Sequence, residues 1–477
     1  MGQDLRGMGQ EAPRTGQLSG RTVNILVPAG ALGSGVSASD VERGIALGAH
    51  AIACDAGSTD SGPSYLARGV SKVSREAVKR DLAILVPAAL GAAIPLVIGS
   101  CATAGTDAGV EWTRDIVLDI LREQSLSGKI ALLYSEQSAD IIKRKITQHE
   151  VFPLPPAGEL STEDVDRCDH IVALMGVEPY IAALSQGADI ILGGRTTDTA
   201  VLGCVAIMRG AGAGPTWHAA KVAECGSLCT VNPREGGVMV KIGETGFEIE
   251  PLRLDNRCTP YTVSAHMLYE NGDPFRLTEP GGVLDVTNAA YEPIDDRCVA
   301  VTGSRWEARP YSMKLEGASS GPFQTIMMIG IRDPKVLGSL ELFQERLEAH
   351  LRHRVETTLD DAGDYSISLR IYGWNAVRGA PPPEGTPAPP EVGVLFIATA
   401  ATQELATRIA KTCNPHFFHF ALERGTELPS YAYPFSPAEI ERGQVFEFRL
   451  NHVVAVDDPM ELVRLAWTDH SDTRSNS

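Results

Sequence analysis

The sequence predicts an α/β protein. An open, mainly parallel sheet domain carries an inserted antiparallel region and is followed by a small α+β C-terminal domain. Three observations predict this. From 22 to about 215, short runs that are apolar on both sides alternate with helical patterns, as expected when helices cover both faces of a parallel sheet. After the Gly-rich linker at 210–214 the pattern turns to short polar and apolar runs, which suit antiparallel strands and hairpins. Beyond 365, a strand segment and a strand-plus-helix segment are joined by the exposed loop PPPEGTPAPP at 381–390. The expected division is a disordered tail over 1–20, a main domain over 21–365 and a small α+β domain over 366–477. Within the main domain, 21–215 is the parallel-sheet part and 216–365 the mixed part. A chain of 477 residues also fits about three folding units at ~150 residues each, or two large ones.

The elements follow in order. TVNILVPAGALGSG (22–35) is a strand running into a Gly-rich turn, and a helical repeat then leads to a second strand at Ala51–Cys54. Residues 71–86 read as helix, 94–105 as a third strand and loop, 107–126 as an amphipathic helix and 129–137 as another strand. HIVALMG (170–176) and ADIILGGRTTD (188–198) are two further strands, with helix between them. Antiparallel strands are expected in 236–253 and 296–310, a strand in 326–334, and an amphipathic helix over 337–359. Strands follow in 364–377, at the start of 392–420 before a helix, and in 446–470.

Lys and Arg number 42 against 60 Asp and Glu, for a formal charge of -18, which argues against a general grip on nucleic-acid phosphates. A locally positive site for a small anion remains open. The N-terminus has no apolar stretch of signal-peptide type, and the uncharged run Leu82–Cys101 contains Pro87 and Pro95, so it reads as helix end, turn and buried strand and not as a membrane span. The nine cysteines are scattered without zinc-ribbon spacing, so free thiols, no structural zinc and a reduced cytoplasmic setting are expected.

Ligands of open α/β sheets bind beyond the carboxyl ends of the strands. Four loops qualify: Gly30-Ala-Leu-Gly-Ser-Gly35, Asp55-Ala-Gly-Ser-Thr-Asp-Ser-Gly62, Ser100-Cys-Ala-Thr-Ala-Gly-Thr-Asp107 and Gly193-Gly-Arg-Thr-Thr-Asp198. Each has glycines, which let backbone amides approach a ligand, and a hydroxyl; the last three add a carboxylate. The first is neither a dinucleotide fingerprint nor a P-loop. All four are expected to line one cleft; the bland alternative is tight turns.

Asp55 and Asp60 lie five apart, close enough to share a divalent cation, or for one to act as general base with its pKa raised by the other. Plain turn capping is the competing role. Arg195 is read as an anion clamp beside Asp198; equally, the two form a structural pair or a helix N-cap. The candidate catalytic residues are thus Asp55, Asp60, Arg195 and Asp198. The candidate substrate and anion contacts are Gly33, Ser34, Gly57, Ser58, Thr59, Cys101, Thr103, Thr196 and His266. No residue is assigned to a metal. Cys101 has no visible base, Cys225-x-x-x-Cys229 reads as structural thiols, and packing is favoured for His416 and His419.

Several of these stretches together resemble the acyclic terpene utilisation family. They are Asp55-Ala-Gly-Ser-Thr-Asp-Ser-Gly-Pro63, Gly193-Gly-Arg-Thr-Thr-Asp198, Thr259-Pro-Tyr-Thr-Val-Ser-Ala-His-Met-Leu-Tyr-Glu270 and Lys314-Leu-Glu-Gly317. The resemblance spans about 22 to the mid-360s, and 366–470 looks like the small ferredoxin-like domain often fused to that family. It implies a part in growth on acyclic terpene alcohols, whose breakdown passes through branched acyl-CoA esters. It carries no residue roles.

The expected function is therefore a catabolic enzyme of lyase or hydratase type acting on a small carboxylated or branched acyl-CoA substrate. The alternatives are a metal-assisted hydrolase of an ester, amide or thioester, or a non-catalytic assembly subunit that binds a small acid. A coenzyme A thioester is expected as substrate and not as resident cofactor, and a divalent metal stays open. Neither nucleic acid nor membrane is expected as a partner. Aromatics near the C-terminus, Phe417, Phe418, Phe420, Tyr431, Tyr433 and Phe435, suggest a homo-oligomer.

Overall fold

A computed structural model describes residues 21–470 apart from 235, 419, 423, 424, 426 and 427. The expected tail at 1–20 and His419 lie outside the described residues. The chain divides into two compact units: one runs to Ser319 and resumes at Phe448, and the other is 320–447.

The first seven strands are β1 (Val23–Val27), β2 (Ala51–Asp55), β3 (Leu96–Gly99), β4 (Gly128–Tyr134), β5 (Val151–Pro153), β6 (His170–Ala173) and β7 (Ile190–Gly193). Next come β8 (Val238–Ile242), β9 (Gly246–Pro251), β10 (Arg276–Glu279), β11 (Gly282–Asp285), β12 (Ala290–Pro293), β13 (Val299–Thr302) and β14 (Arg305–Ala308). The last are β15 (Ser312–Ile331), β16 (Tyr365–Tyr372), β17 (Val392–Ala400), β18 (Tyr431–Ala432), β19 (Ile440–Ala455) and β20 (Arg464–His470).

The larger unit is built on a ten-stranded sheet in the order β12-β13-β9-β8-β1-β2-β3-β7-β4-β20. Its centre, β1-β2-β3-β7-β4, is parallel. The strands β8, β9, β13 and β12 extend one edge antiparallel, and β20 closes the other against β4. Every residue of β2, β3 and β7 is buried, because helices cover both faces and leave no polar side. Two apolar cores result, one on each face: Ile25, Val97 and Ile191 point into one, and Leu26, Ile98 and Leu192 into the other. A small antiparallel sheet, β10-β11-β14, belongs to the same unit.

Three expectations change. HIVALMG was read as a strand of the parallel sheet, but β6 pairs antiparallel with the start of β15, Ala173 opposite Leu315. The helix expected to end near 86 runs through Pro87 to Gly91. Pro87 has no N–H for the carbonyl of Ala83, and Gln124 Nε2 supplies that hydrogen bond at 3.3 Å. The small unit does not have the limits read from the sequence. It begins inside the continuous strand β15, and the chain after Phe448 returns to the larger unit, where β20 is the edge strand beside β4.

In the small unit, β17 lies between β16 and the second half of β15, antiparallel to both. The helices Leu340–Thr358 and Gln403–Phe418 bury Phe343, Leu347, Ile409 and Phe417 against Phe396 and its neighbours. The aromatics behind the homo-oligomer expectation enter this core in part: Phe417 and Phe420 are buried, Tyr431 packs against the core, and Phe435 is exposed. No helix among the described residues is long and apolar enough to cross a membrane.

Candidate active site beyond the parallel strands

The loops that leave β1, β2, β3 and β7 are tied to one another by backbone hydrogen bonds. Leu32 N–H bonds to Asp55 O, Ala56 N–H to Gly99 O, Cys101 N–H to Gly193 O and Arg195 N–H to Gly105 O. Two glycines make the contacts close. A Cβ on Gly57 would stand 2.4 Å from Thr103 Cα, and one on Gly105 would stand 2.2 Å from Arg195 N. Both have positive φ, +144° and +64°. Asp55, Thr103 and Arg195 therefore share one end of the sheet, with no pair of them on opposite edges.

Asp55 ends β2 and is 5% exposed. Its Oδ2 accepts from Gly57 N at 2.8 Å, and its Oδ1 has no hydrogen-bond partner. Burial pushes its pKa well up, Asp198 pushes it further, and Arg195 pulls it back. Asp198 opens the helix Asp198–Met208, whose N-cap Thr197 accepts from Ala200 N. Burial raises its pKa too, with Asp60 and Glu270 adding to that and Arg195 and Lys221 opposing it.

Arg195 is buried at 5% exposure, with its Nε and Nη1 bonded within the protein. Nε donates to Glu316 Oε2 at 3.0 Å, Nη1 donates to Ser100 Oγ at 3.2 Å and Thr196 O at 3.3 Å, and Asp198 Oδ1 lies 3.7 Å from Nη1. Against the push of burial, Arg195 and Lys314 hold the Glu316 pKa down at about 2. Arg195 thus lies in an ion pair with Glu316 as well as near Asp198.

The other expected residues divide. Asp60 is exposed and accepts from Ser58 Oγ at 2.9 Å, while Ser58 caps the short turn Thr59–Ser61 and Thr59 is buried beneath it. Gly33 turns its N–H inward to Asp81 Oδ2 at 2.8 Å, beside the N–H groups of Gly35 and Val36, so this loop spends its amides on an internal carboxylate. Ser34 Oγ donates to Ala31 O. Thr103 has φ +79° and accepts from Lys72 N, which leaves its own hydroxyl proton to give. Thr196 is saturated: Oγ1 donates to Gly194 O and meets Tyr180 OH at 2.7 Å. Cys101 is fully buried, and burial drives its thiol up to about 12, which removes it as a nucleophile.

Four groups outside the four loops join the cluster. Lys221 and Glu224 on the helix Ala213–Ala223 and at its end are ion-paired and buried, and burial lifts Glu224 to about 8. Glu279, on β10, accepts from Thr199 Oγ1 at 2.6 Å, and burial lifts it to about 7. Glu316 lies in the Lys314-Leu-Glu-Gly317 motif, read from sequence only as a family mark. Glu224 and Glu279 are 55 residues apart and Glu279 and Glu316 are 37 apart, so only the fold could unite them. His266, expected here, does come close: burial first, and Lys221 second, depress it to about 4. A cleft of about 560 Å3 has Gly30, Ser34, Cys225 and Arg234 in its wall; of the four loops only the first lines it, and Asp55, Thr103 and Arg195 do not.

A family model described as Acyclic terpene utilisation family protein AtuA matches residues 80–231 and 248–432. The chain belongs to this family. The match takes in the loops Ser100–Asp107 and Gly193–Asp198 but begins after those that hold Gly33 and Asp55, and it runs on to 432 in the small unit, past the 366 boundary read from sequence. Comparisons with curated proteins and with solved structures returned no match.

Proposed function

We propose that the protein is an enzyme of acyclic terpene breakdown that moves a proton next to the carbonyl of a small carboxylated or branched acyl-CoA substrate, as a lyase or hydratase. The observation that carries this reading is Asp55: a buried carboxyl with one oxygen lacking a hydrogen-bond partner and a pKa raised by its surroundings. A carboxyl tuned upward is suited to take and return a proton near neutral pH. Family membership supports the metabolic setting. Asp55 takes the proton α to the carbonyl, and the enolate oxygen so formed needs a donor, a role we give to the hydroxyl of Thr103, whose oxygen accepts from Lys72 N. Arg195 acts here as a positioning residue, fixing Asp198 and tempering Asp55, and not as a clamp on substrate.

The test is hydrogen exchange. Branched acyl-CoA esters of acyclic terpene origin, and their free acids, are incubated with the protein in deuterated water and weighed by mass spectrometry. Deuterium uptake at the α-carbon that is lost in D55N is the expected result. Binding without uptake by the wild-type protein, or uptake unchanged in D55N, overturns the reading.

A further inference from the structure

Glu224 and Cys225 are consecutive residues at the end of the helix Ala213–Ala223, and His266 lies at the end of the helix Pro260–Ala265. The fold brings one ligand atom from each of the three within 4.8 Å of the others. His266 is 5% exposed, and its Nε2 is buried with no hydrogen-bond partner. An imidazole nitrogen left without a partner in the interior carries a full desolvation cost, and a metal ion removes that cost.

We propose that Glu224, Cys225 and His266 form a zinc site with an open fourth position. The donor set selects the metal: a thiolate and an imidazole suit Zn2+ and not Mg2+ or Ca2+, which take oxygen. Three protein ligands leave one position for water or for a substrate oxygen. Metal–ligand bonds of about 2.0–2.3 Å require the three groups to close by roughly 1 Å, a movement within reach of side-chain rotation. The surroundings are those of a held site. Lys221 Nζ bonds Glu224 Oε1 and so leaves Oε2 for the metal, and Tyr269 stacks on the His266 ring at a centroid distance of 5.5 Å. Asp198, Glu224 and Glu270 all act on Cys225, so a dication enters a negative field that Lys221 only partly offsets. Binding displaces the Cys225 thiol proton to solvent. Cys225 also lies in the wall of the cleft, which puts the open position where a small molecule can reach it. The inference goes beyond the acid–base assignment to Asp55 and does not depend on it.

The experiment uses the full chain, stripped with chelator and titrated with Co2+. One equivalent should bind with a near-ultraviolet thiolate-to-cobalt band, and Zn2+ should displace it. C225S should abolish the band, H266Q should weaken Co2+ binding by tenfold or more, and C413S, a buried thiol in the small unit, should leave both unchanged. No band in the wild-type protein, or a band that survives in C225S, overturns the site. Should either variant fail to fold, alkylation of the wild-type protein decides: Zn2+ should protect Cys225 from iodoacetamide, and equal labelling with and without Zn2+ rejects the proposal. Deuterium uptake plays no part in these readouts, so this site and the proton-transfer reading stand or fall separately.

Discussion

Arg195 Nε donates to Glu316 Oε2 at 3.0 Å, and the side chains of both are almost wholly buried. The pair fastens the loop after β7 to the start of β15, with Lys314 on the other carboxylate oxygen at 2.8 Å. Breaking it should be costly, because the surviving guanidinium would be left in the interior facing too little charge. E316Q is expected to lose about 3–5 kcal/mol of stability in urea unfolding at pH 7. Glu316 has a folded pKa of about 2 against an ordinary 4.5, so its contribution is complete above 4.5 and disappears as pH falls towards 2. The gap between wild type and E316Q should therefore close over that window. A gap that is constant from pH 7 to pH 2.5 would mean that packing, not charge, holds the loop.

Glu279 has the opposite sign. Its Oε2 has no hydrogen-bond partner, and burial raises its pKa from 4.5 to about 7. A carboxyl that resists ionisation in the fold favours the folded state below 4.5 and costs stability as pH rises through 7. E279Q fixes the neutral form. It should be about as stable as wild type at pH 4 and more stable at pH 8, by on the order of 1–3 kcal/mol. Thermal unfolding at the two pH values measures the crossing, and equal melting at pH 8 would show that Glu279 ionises freely.

The parallel centre of the fold was legible because its signals are local. Runs such as Leu96–Gly99 and Ile190–Gly193 are apolar throughout, and each feeds a glycine-bearing loop at a predictable end. That was enough to place Asp55, Thr103, Arg195 and Asp198 together. It could not tell whether a loop's polar groups face outward. Gly33 looks like a ligand contact in sequence, yet its amide is taken by Asp81, 48 residues on. Arg195 reads in sequence equally as a clamp or as a partner of Asp198, and neither reading reveals Glu316, which meets it from 121 residues away. The approach of Glu224 and Cys225 to His266 leaves no spacing signature, since the ligands come from the ends of two separate helices. β6 was misplaced for a related reason: an apolar run reports burial but not its hydrogen-bonding neighbour.

Gly57 offers a backbone test of loop convergence. Its φ of +144° disfavours any side chain, and a Cβ would meet the backbone of Thr103 at 2.4 Å, where nothing can rotate aside. G57A should cost about 2 kcal/mol or more, combining strain and overlap. At Gly62, also at positive φ but with nothing within 4 Å of an added Cβ, G62A should cost only about 1 kcal/mol. Urea midpoints for the two variants rank them. Equal losses would show that the Gly57–Thr103 contact is not a rigid one.

The carboxylates of the second loop should separate cleanly. Asp55 is buried beside Asp198 and Arg195, whereas Asp60 is exposed and bonded to the Ser58 hydroxyl. D55N keeps the size and can still accept from Gly57 N through its amide oxygen, so the fold should survive. Stability gives the first sign. The Asp55 pKa is raised above 3.8, so the wild-type protein loses stability as pH climbs from 3.8 through the raised value, and Asn does not. D55N should then be at least as stable as wild type at pH 7. Its rate of α-proton exchange should nevertheless fall by ~10²–10⁴, the usual worth of a positioned acid–base group. D60N removes a charge that reaches Asp198 but no proton carrier, and should alter the rate only a fewfold. Rates and unfolding curves for the two variants, taken together, decide the assignment. A D55N protein that exchanges at the wild-type rate, or a D60N protein as crippled as D55N is expected to be, would move the proton transfer off Asp55.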